Sequence, residues 1–198
     1  LQEWAIIKLL RQCTEIEMPY STVRRVLPHE YPKYRKHLKS LDEASKHLRF
    51  GYVIRDEMID QLCDRFEADT EHNILFAIEN DDLDFVAVGH IALQEEMELA
   101  FSVLKGYQGQ GMGNHLFKRT IQWCRTHGKL KGCMVCLSHN AVIKHLCTKY
   151  GIHLKSEQGE TLAEVELDHP SITTYISEAT DSNLAVADYL GKRMPKFY

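Results

Sequence analysis

The stretch VLKGYQGQGMGNHL, residues 103–116, places four glycines within eight positions, between a run of alternating apolar residues and the start of a helical pattern. A strand, a glycine-rich turn and a helix N-terminus in direct succession constrain the fold strongly. They also create an anion site, because backbone N–H groups and the positive end of the helix dipole converge on one point. Which anion it holds is decided by the residues around it.

Upstream of the glycines, ILFAIE and FVAVGHIAL flank the turn-forming NDDLD, and QEE separates the second run from MELAFSVL. The period of two and the intervening turns predict three consecutive antiparallel strands. Downstream, residues 111–127 return to helical spacing, with Met112, Leu116, Thr120 and Cys124 on one stripe and Phe117 and Ile121 beside it. GCMVCLS reads as a strand buried on both faces, and NAVIKHLCTKY as a short helix stopped by Gly151. HLKSEQGETLAEVELD predicts a hairpin turning near Gln158 and Gly159, followed by a helix with Pro170 in its first turn and Gly191 past its end.

Nearer the start, a strand is expected over residues 22–26, a turn at Pro28, and a polar helix through HEYPKYRKHLKSL whose start Pro32 restricts. Residues 40–48 are helix-like until RFGYVI breaks them. RDEMIDQLCDRF sets Ile59, Leu62, Cys63 and Phe66 on one helical face, with Asp56 in a capping position. The expected order is β, helices, βββ, α, β, α, ββ, α.

At 198 residues, 44% hydrophobic and 26% charged, the chain suits one domain with a substantial core. The reading is an N-terminal extension over 1–20, a domain over 21–168 and a helical extension over 169–198, the extensions covering a sheet edge or making a homodimer contact. A net charge of −4 gives no argument for nucleic acid or an anionic membrane as partner. No apolar run approaches the roughly 20 residues that span a bilayer, so a cytoplasmic protein is expected. The six cysteines lack the spacing of a disulfide framework, and Cys133 and Cys136 fall on opposite faces of a strand. None of the eleven histidines stands in a ligand motif, so no metal is expected.

Two nucleotide readings of the glycines fail. A dinucleotide fingerprint needs a third glycine where Asn114 stands, and a P-loop needs Lys and Ser or Thr where Met112 and Gly113 stand. A merely permissive loop is the plain alternative, yet Gly111 and Gly113 at a helix start each cost up to about 1 kcal/mol against alanine. Close approach of a phosphate to bare amides would offset that cost.

Gln108-Gly109-Gln110-Gly111-Met112-Gly113 resembles the Q/R-x-x-G-x-G/A motif of the GNAT superfamily of acyl-CoA N-acyltransferases. Asn140, Ile143, Leu146, Cys147, Gly151 and Ile152 resemble the family's N-x-x-A/I-x-x-L-Y-x-x-x-G-F segment, with Cys147 where many members have tyrosine. The element order from residue 21 to 168 is also similar to that of the family. More narrowly, SLDEASKHLRFG and ELAFSVLKGYQGQGMG are similar to segments of the Pat-type bacterial protein lysine acetyltransferase domain.

The resemblance implies an α+β fold, with a mixed, mostly antiparallel sheet splayed in the middle and flanked by helices. It implies acetyl-CoA as co-substrate, its pyrophosphate on the amides of Gln108, Gly109, Gln110, Gly111, Met112, Gly113 and Asn114. Main-chain groups of the strand segment Phe101, Ser102 and Val103 would pair with the pantetheine arm, Phe101 and Val103 above all. Asn140 would meet that arm, or act only as a helix cap. An amine acceptor, either a protein lysine or a small amine, must lose a proton before it attacks, since a free lysine has a pKa of about 10.4. Glu98 is the expected base and Glu96 the fallback on the same strand face; an exposed strand face is the plain reading of both. Cys147 is at most a weak general acid, the coenzyme thiol being able to leave unaided, and Tyr150 reads as core. Asp42, Glu43, Asp56, Glu57, Asp60 and Asp64 give the acceptor region an acidic tint that suits a cation, or simply form a solvated face. A module that binds acyl-CoA without turnover is the competing class.

Overall fold

The computed structural model describes residues 22–137, 139–157 and 160–194. The expected N-terminal extension over 1–20 and the hairpin turn at Gln158 and Gly159 lie outside the described residues. The strands are β1 (Arg24–Arg25), β2 (Asn73–Glu79), β3 (Phe85–Leu93), β4 (Met97–Val103), β5 (Lys131–Leu137), β6 (His153–Glu157) and β7 (Glu160–Glu166). The helices are α1 (Tyr31–Lys39), α2 (Glu43–Phe50), α3 (Asp56–Ala68), α4 (Met112–Thr126), α5 (Ala141–Lys149) and α6 (Ile172–Arg193). The strands form one sheet in the order β1-β2-β3-β4-β5-β7-β6. Every neighbouring pair is antiparallel except β4 and β5. The α+β class and the meander of β2, β3 and β4 are therefore as expected.

Period-two alternation gives the sheet two buried faces. Ile74, Phe76 and Ile78 of β2 join Met97 and Leu99 of β4 in a core completed by Leu116, Phe117 and Cys124 of α4 and Leu146 of α5. Leu75 and Ala77 point the other way, with Val88, onto Tyr34 and Leu38 of α1 and Ile59 and Cys63 of α3. Gly89 sets how closely α4 can sit. A Cβ there would lie 3.0 Å from Thr120 Oγ1 and 3.1 Å from the Phe101 ring.

Several boundaries differ from the sequence reading. β1 is confined to two residues, although Val26 N–H still donates to Leu75 O at 2.8 Å. Asp56 does not cap α3: Arg55 occupies that position, and Asp56 lies in the first turn, ion-paired to Lys46 at 3.2 Å. Asp42 is the cap, accepting from Ser45 N–H at the start of α2, which Gly51 ends with φ +80°. α6 starts from Ser171, one residue after Pro170, and runs through Gly191. β5 is not buried on both faces; Gly132, Met134 and Cys136 are buried while Cys133 and Val135 are partly or largely exposed. The reason lies in how β5 meets β4.

Candidate active site

β4 and β5 pair at only two positions, Met97 with Gly132 and Glu98 with Cys133. Beyond them the strands part, while β4 stays paired to β3 up to Val103 and β5 to β7 up to Leu137. Leu104 N–H donates to Val86 O at 2.9 Å, so the alternation of an antiparallel ladder turns the main chain of Ser102, Ala100 and Glu98 toward β3. The main chain of Phe101 and Val103 then faces the gap. The Val103 carbonyl is taken by the Gln108 side chain at 3.0 Å. Among the described residues, the N–H and C=O of Phe101 and the N–H of Val103 have no strand partner beyond β3 and form a short open edge.

The glycine loop follows directly. Gly109 and Gly111 have φ of +76° and +81°, a region that costs an L-residue roughly 1–2 kcal/mol. Gly111 is the N-cap of α4 and offers no side-chain cap. Among the described residues, no main-chain carbonyl accepts from the amides of Gly109, Gln110, Gly111, Met112 or Gly113. Five successive free N–H groups thus surround a helix N-terminus. Gln108 N–H is directed to Lys105 O at 3.4 Å, and Asn114 N–H to Gly111 O at 3.0 Å. Of the seven expected donors, these two are already used within the loop. The loop is held to α2 by Gln108 Nε2, which donates to Ser45 Oγ at 3.1 Å.

Side chains on the opposite face of β4 line a cleft of about 310 Å³ that reaches the open end of β5. Glu98 lines it where the two strands diverge, exposed and in no ion pair among the described residues. Burial, and after it the charge of Glu98, pushes the Cys133 thiol up. Glu96 does not share this placement, because it lies in the turn before β4 and does not line the cleft.

Cys147 is completely buried in the core cluster, and burial pushes its thiol up to about 11. Tyr150 packs on Phe117 with ring centroids 5.1 Å apart, and its hydroxyl donates to Asn114 Oδ1 at 3.2 Å. Asn140 is buried and caps α5, its Oδ1 accepting from Ile143 N–H at 3.3 Å. Ser102 is turned from the gap, and its hydroxyl donates to His37 Nε2 at 2.8 Å. The other nitrogen of His37 donates to Phe85 O at 2.9 Å, and burial pushes this imidazole down to about 4.

The acidic tint is spent elsewhere. Asp60 and Asp64 pair with Arg35 at 3.5 and 2.6 Å, Asp60 also with Lys39, and Asp42 faces Lys105 at 3.8 Å. None of the six acidic residues lines the cleft. Its walls are instead Arg49, Phe50, Tyr52, Phe66 and His90. Sequence reading gives these residues no site role, although Arg49 and Phe50 close the SLDEASKHLRFG segment and so carried a signal. His90 donates through Nε2 to Asn73 Oδ1 at 3.1 Å, and burial together with the Arg49 charge pushes it down to about 3. Among the described residues no cluster of His, Cys, Asp and Glu could hold a metal ion, and no helix is long and apolar enough to cross a membrane.

Comparison with known proteins agrees with this architecture. The model of the acetyltransferase (GNAT) family matches residues 34–152. Among solved structures, the GNAT domain of PAT from S. lividans is similar with a TM-score of 0.60 and 20% identity, over 73% of this chain and 89% of that one. yncA of Salmonella typhimurium, a putative acetyltransferase solved with acetyl-CoA, has a TM-score of 0.59 and 17% identity, over 76% and 95%. A ribosomal-protein alanine N-acetyltransferase of Escherichia coli has a TM-score of 0.57 and 12% identity, over 76% and 96%. No curated protein matches the sequence significantly. With the family model spanning more than half of its length, across the glycine loop and the diverging strands, the chain belongs to the acetyltransferase (GNAT) family.

Proposed function

We propose that this protein moves the acetyl group of acetyl-CoA to a primary amine by direct attack, with Glu98 as the base. The observation that carries the reading is the position of Glu98 at the point where β4 and β5 part, between an unpaired strand edge and an open cleft. Acetyl-CoA bound with its pyrophosphate on the amides of Gly109 to Gly113 would lie at the mouth of the gap. Its pantetheine amides would complete the strand edge at Phe101 and Val103, a strand-addition mode in which main-chain groups supply affinity. The Asn140 Oδ1 is committed to its cap, leaving the Nδ2 protons for the arm.

In the reaction the acceptor arrives as an ammonium ion and gives a proton to the Glu98 carboxylate, directly or through water. The amine lone pair then attacks the thioester carbonyl carbon. The tetrahedral adduct collapses, the C–S bond breaks, and the electron pair leaves on sulfur. The extra proton still on the nitrogen passes to that thiolate, directly or through water, to leave a neutral amide and the free thiol. The thiolate needs no protein acid, which fits the burial of Cys147. Thiol release from acetyl-CoA, followed against lysine peptides, polyamines and amino acids, tests the proposal. Saturable acetyl-CoA binding without release on any amine would replace it with a binding module, and absence of binding would remove both readings.

A further inference from the structure

Arg49 is the one arginine among the described residues that lines the cleft, and its partners differ from those of the other half-buried or buried arginines, although Arg119 also keeps Nε and Nη1 without a hydrogen-bond partner. Arg24 meets the carboxylates of Glu30 and Glu79, each at 2.6 Å, and Arg35 meets Asp64 and Glu67 at 2.6 and 2.7 Å. Arg119 faces Glu178 at 3.5 Å, and Arg125 donates to the carbonyls of Asp168 and His169. Arg49, half-buried in the wall of the cleft, has no carboxylate partner among the described residues. Its Nε is buried without any hydrogen-bond partner, and its Nη2 makes only a 3.4 Å bond to Tyr34 OH. The guanidinium also lies over the Phe50 ring, 5.0 Å from its centroid.

A buried, unsatisfied donor on a charged group is costly, and folded proteins seldom leave one. The neighbouring histidines bring no negative charge, an imidazole being neutral or cationic. His90 and His37 are held neutral by burial, and the positive charge of Arg49 pushes both further down. Glu98 lines the same cleft without pairing to Arg49. The cleft therefore offers one cation, one carboxylate and an apolar wall of Phe50, Tyr52 and Phe66. Its volume of about 310 Å³ is at the small end of the range of roughly 300–1,000 Å³ for small-molecule sites.

We infer that the acceptor is an amine that also bears a carboxylate and an apolar side chain, an amino acid of the aromatic or large aliphatic class, with Arg49 as the group that binds its carboxylate. A guanidinium matches a carboxylate through two parallel N–H bonds, whereas a lysine side chain of a peptide brings no anion to that point. The acceptor ammonium then lies toward Glu98 and its side chain against the aromatic wall. This rests on the transfer reading above and narrows its acceptor.

The test compares thiol release on free leucine, methionine, phenylalanine and tyrosine with release on the corresponding amides, on phenethylamine and on lysine peptides. The free acids are expected to exceed their amides in kcat/KM by at least about 10-fold, the scale of one charge-assisted pair. In Arg49→Gln that preference falls to within about 3-fold, mainly through KM, and Arg49→Lys restores part of it. Acetyl-CoA affinity, measured by calorimetry, stays unchanged in both variants and shows that they are folded. Amides or phenethylamine used as well as the acids, or a preference that survives Arg49→Gln, would overturn the inference. Release on lysine peptides but on no free amino acid would overturn it while leaving acetyl transfer intact. Failure on every amine would remove the transfer reading and this one with it.

Discussion

The two halves of the site are built by different means. The half assigned to the coenzyme is one continuous piece of chain, the end of β4 and the loop into α4, and it presents main-chain groups. The half assigned to the acceptor draws side chains from α2, α3, β2, β3 and the far end of β5. Main-chain recognition requires unusual backbone, which leaves a mark in the sequence as glycine spacing. Side-chain recognition requires only that distant residues meet, and leaves no local mark. The same division predicts where substitutions act: changes in the first half alter coenzyme affinity, and changes in the second alter turnover and acceptor choice.

The largest effect expected is at Glu98, which belongs to β4 but faces the acceptor half. Glu98→Gln keeps the shape and removes the proton acceptor, so kcat should fall by about two to four orders of magnitude, the usual worth of a general base. The KM for acetyl-CoA should hold. Glu96→Gln, in the turn outside the cleft, should change neither. Full activity of Glu98→Gln would remove the base from the mechanism and erase the distinction between the halves at this residue.

Acid should act through the two deeply buried histidines, His90 on β3 in the wall of the acceptor cleft and His37 on α1 outside it. Their folded pKa values, pushed down to about 4 and about 3, lie below the ordinary value near 6.5. The unfolded chain therefore binds more protons, so the stability they contribute is complete above pH 6.5 and is lost as pH falls toward those lower values. At about 1.4 kcal/mol per pH unit, each histidine should cost about 2 kcal/mol between pH 6.5 and 5. Urea denaturation at pH 7, 6 and 5 measures this. His90→Gln should remove about half of the slope, and a slope that the substitution leaves unchanged would place the acid sensitivity elsewhere.

What was legible in the sequence follows from the same physics. Residues 108–113 and the strand before them could be read because glycine at Gly109 and Gly111 answers to a positive φ, and because alternation in MELAFSVL fixes which residues share a face. The meander and the closing hairpin were legible for the second reason. GCMVCLS misled because a continuous apolar run suggests two covered faces, whereas the parting of β4 from β5 uncovers Val135. That parting is a property of two strands together and appears in neither alone. The acidic residues left a cation site and a solvated face both open, since the cationic partners Arg35, Lys39 and Lys46 that they meet come from other turns and helices. Arg49 stood in a segment that carried a signal, but its place in the cleft wall without a carboxylate beside it depends on residues from other elements.

The coenzyme half allows a sharper division between backbone strain and ligand approach. Gly111→Ala places a side chain at φ +81°, so a loss of roughly 1–2 kcal/mol in stability is expected alongside about 10-fold weaker acetyl-CoA binding. Gly113→Ala meets nothing closer than Leu146 Cδ1 at 4.0 Å and replaces a helical glycine, which should stabilise the fold by up to about 1 kcal/mol. It should nevertheless weaken acetyl-CoA binding, because the open space above Gly113 is where the pyrophosphate is expected. Paired melting curves and calorimetric titrations read both outcomes. A Gly113→Ala protein that gains stability and keeps its affinity would remove this residue from the phosphate cradle.

The smallest effect expected is at Asn140, where the two roles of one side chain can be separated. Its Oδ1 caps α5 through Ile143 N–H, a bond that Asn140→Ala should lose at a cost of about 1 kcal/mol. Asn140→Asp keeps an oxygen for the cap, and its charge is favourable beside a helix N-terminus, so stability should be retained. The aspartate has no N–H to offer. If Nδ2 meets the pantetheine arm, Asn140→Asp should bind acetyl-CoA several-fold more weakly than the wild type while melting at the same temperature. Equal affinity in both proteins would make Asn140 a cap alone and leave coenzyme recognition wholly to the main chain of β4 and the glycine loop.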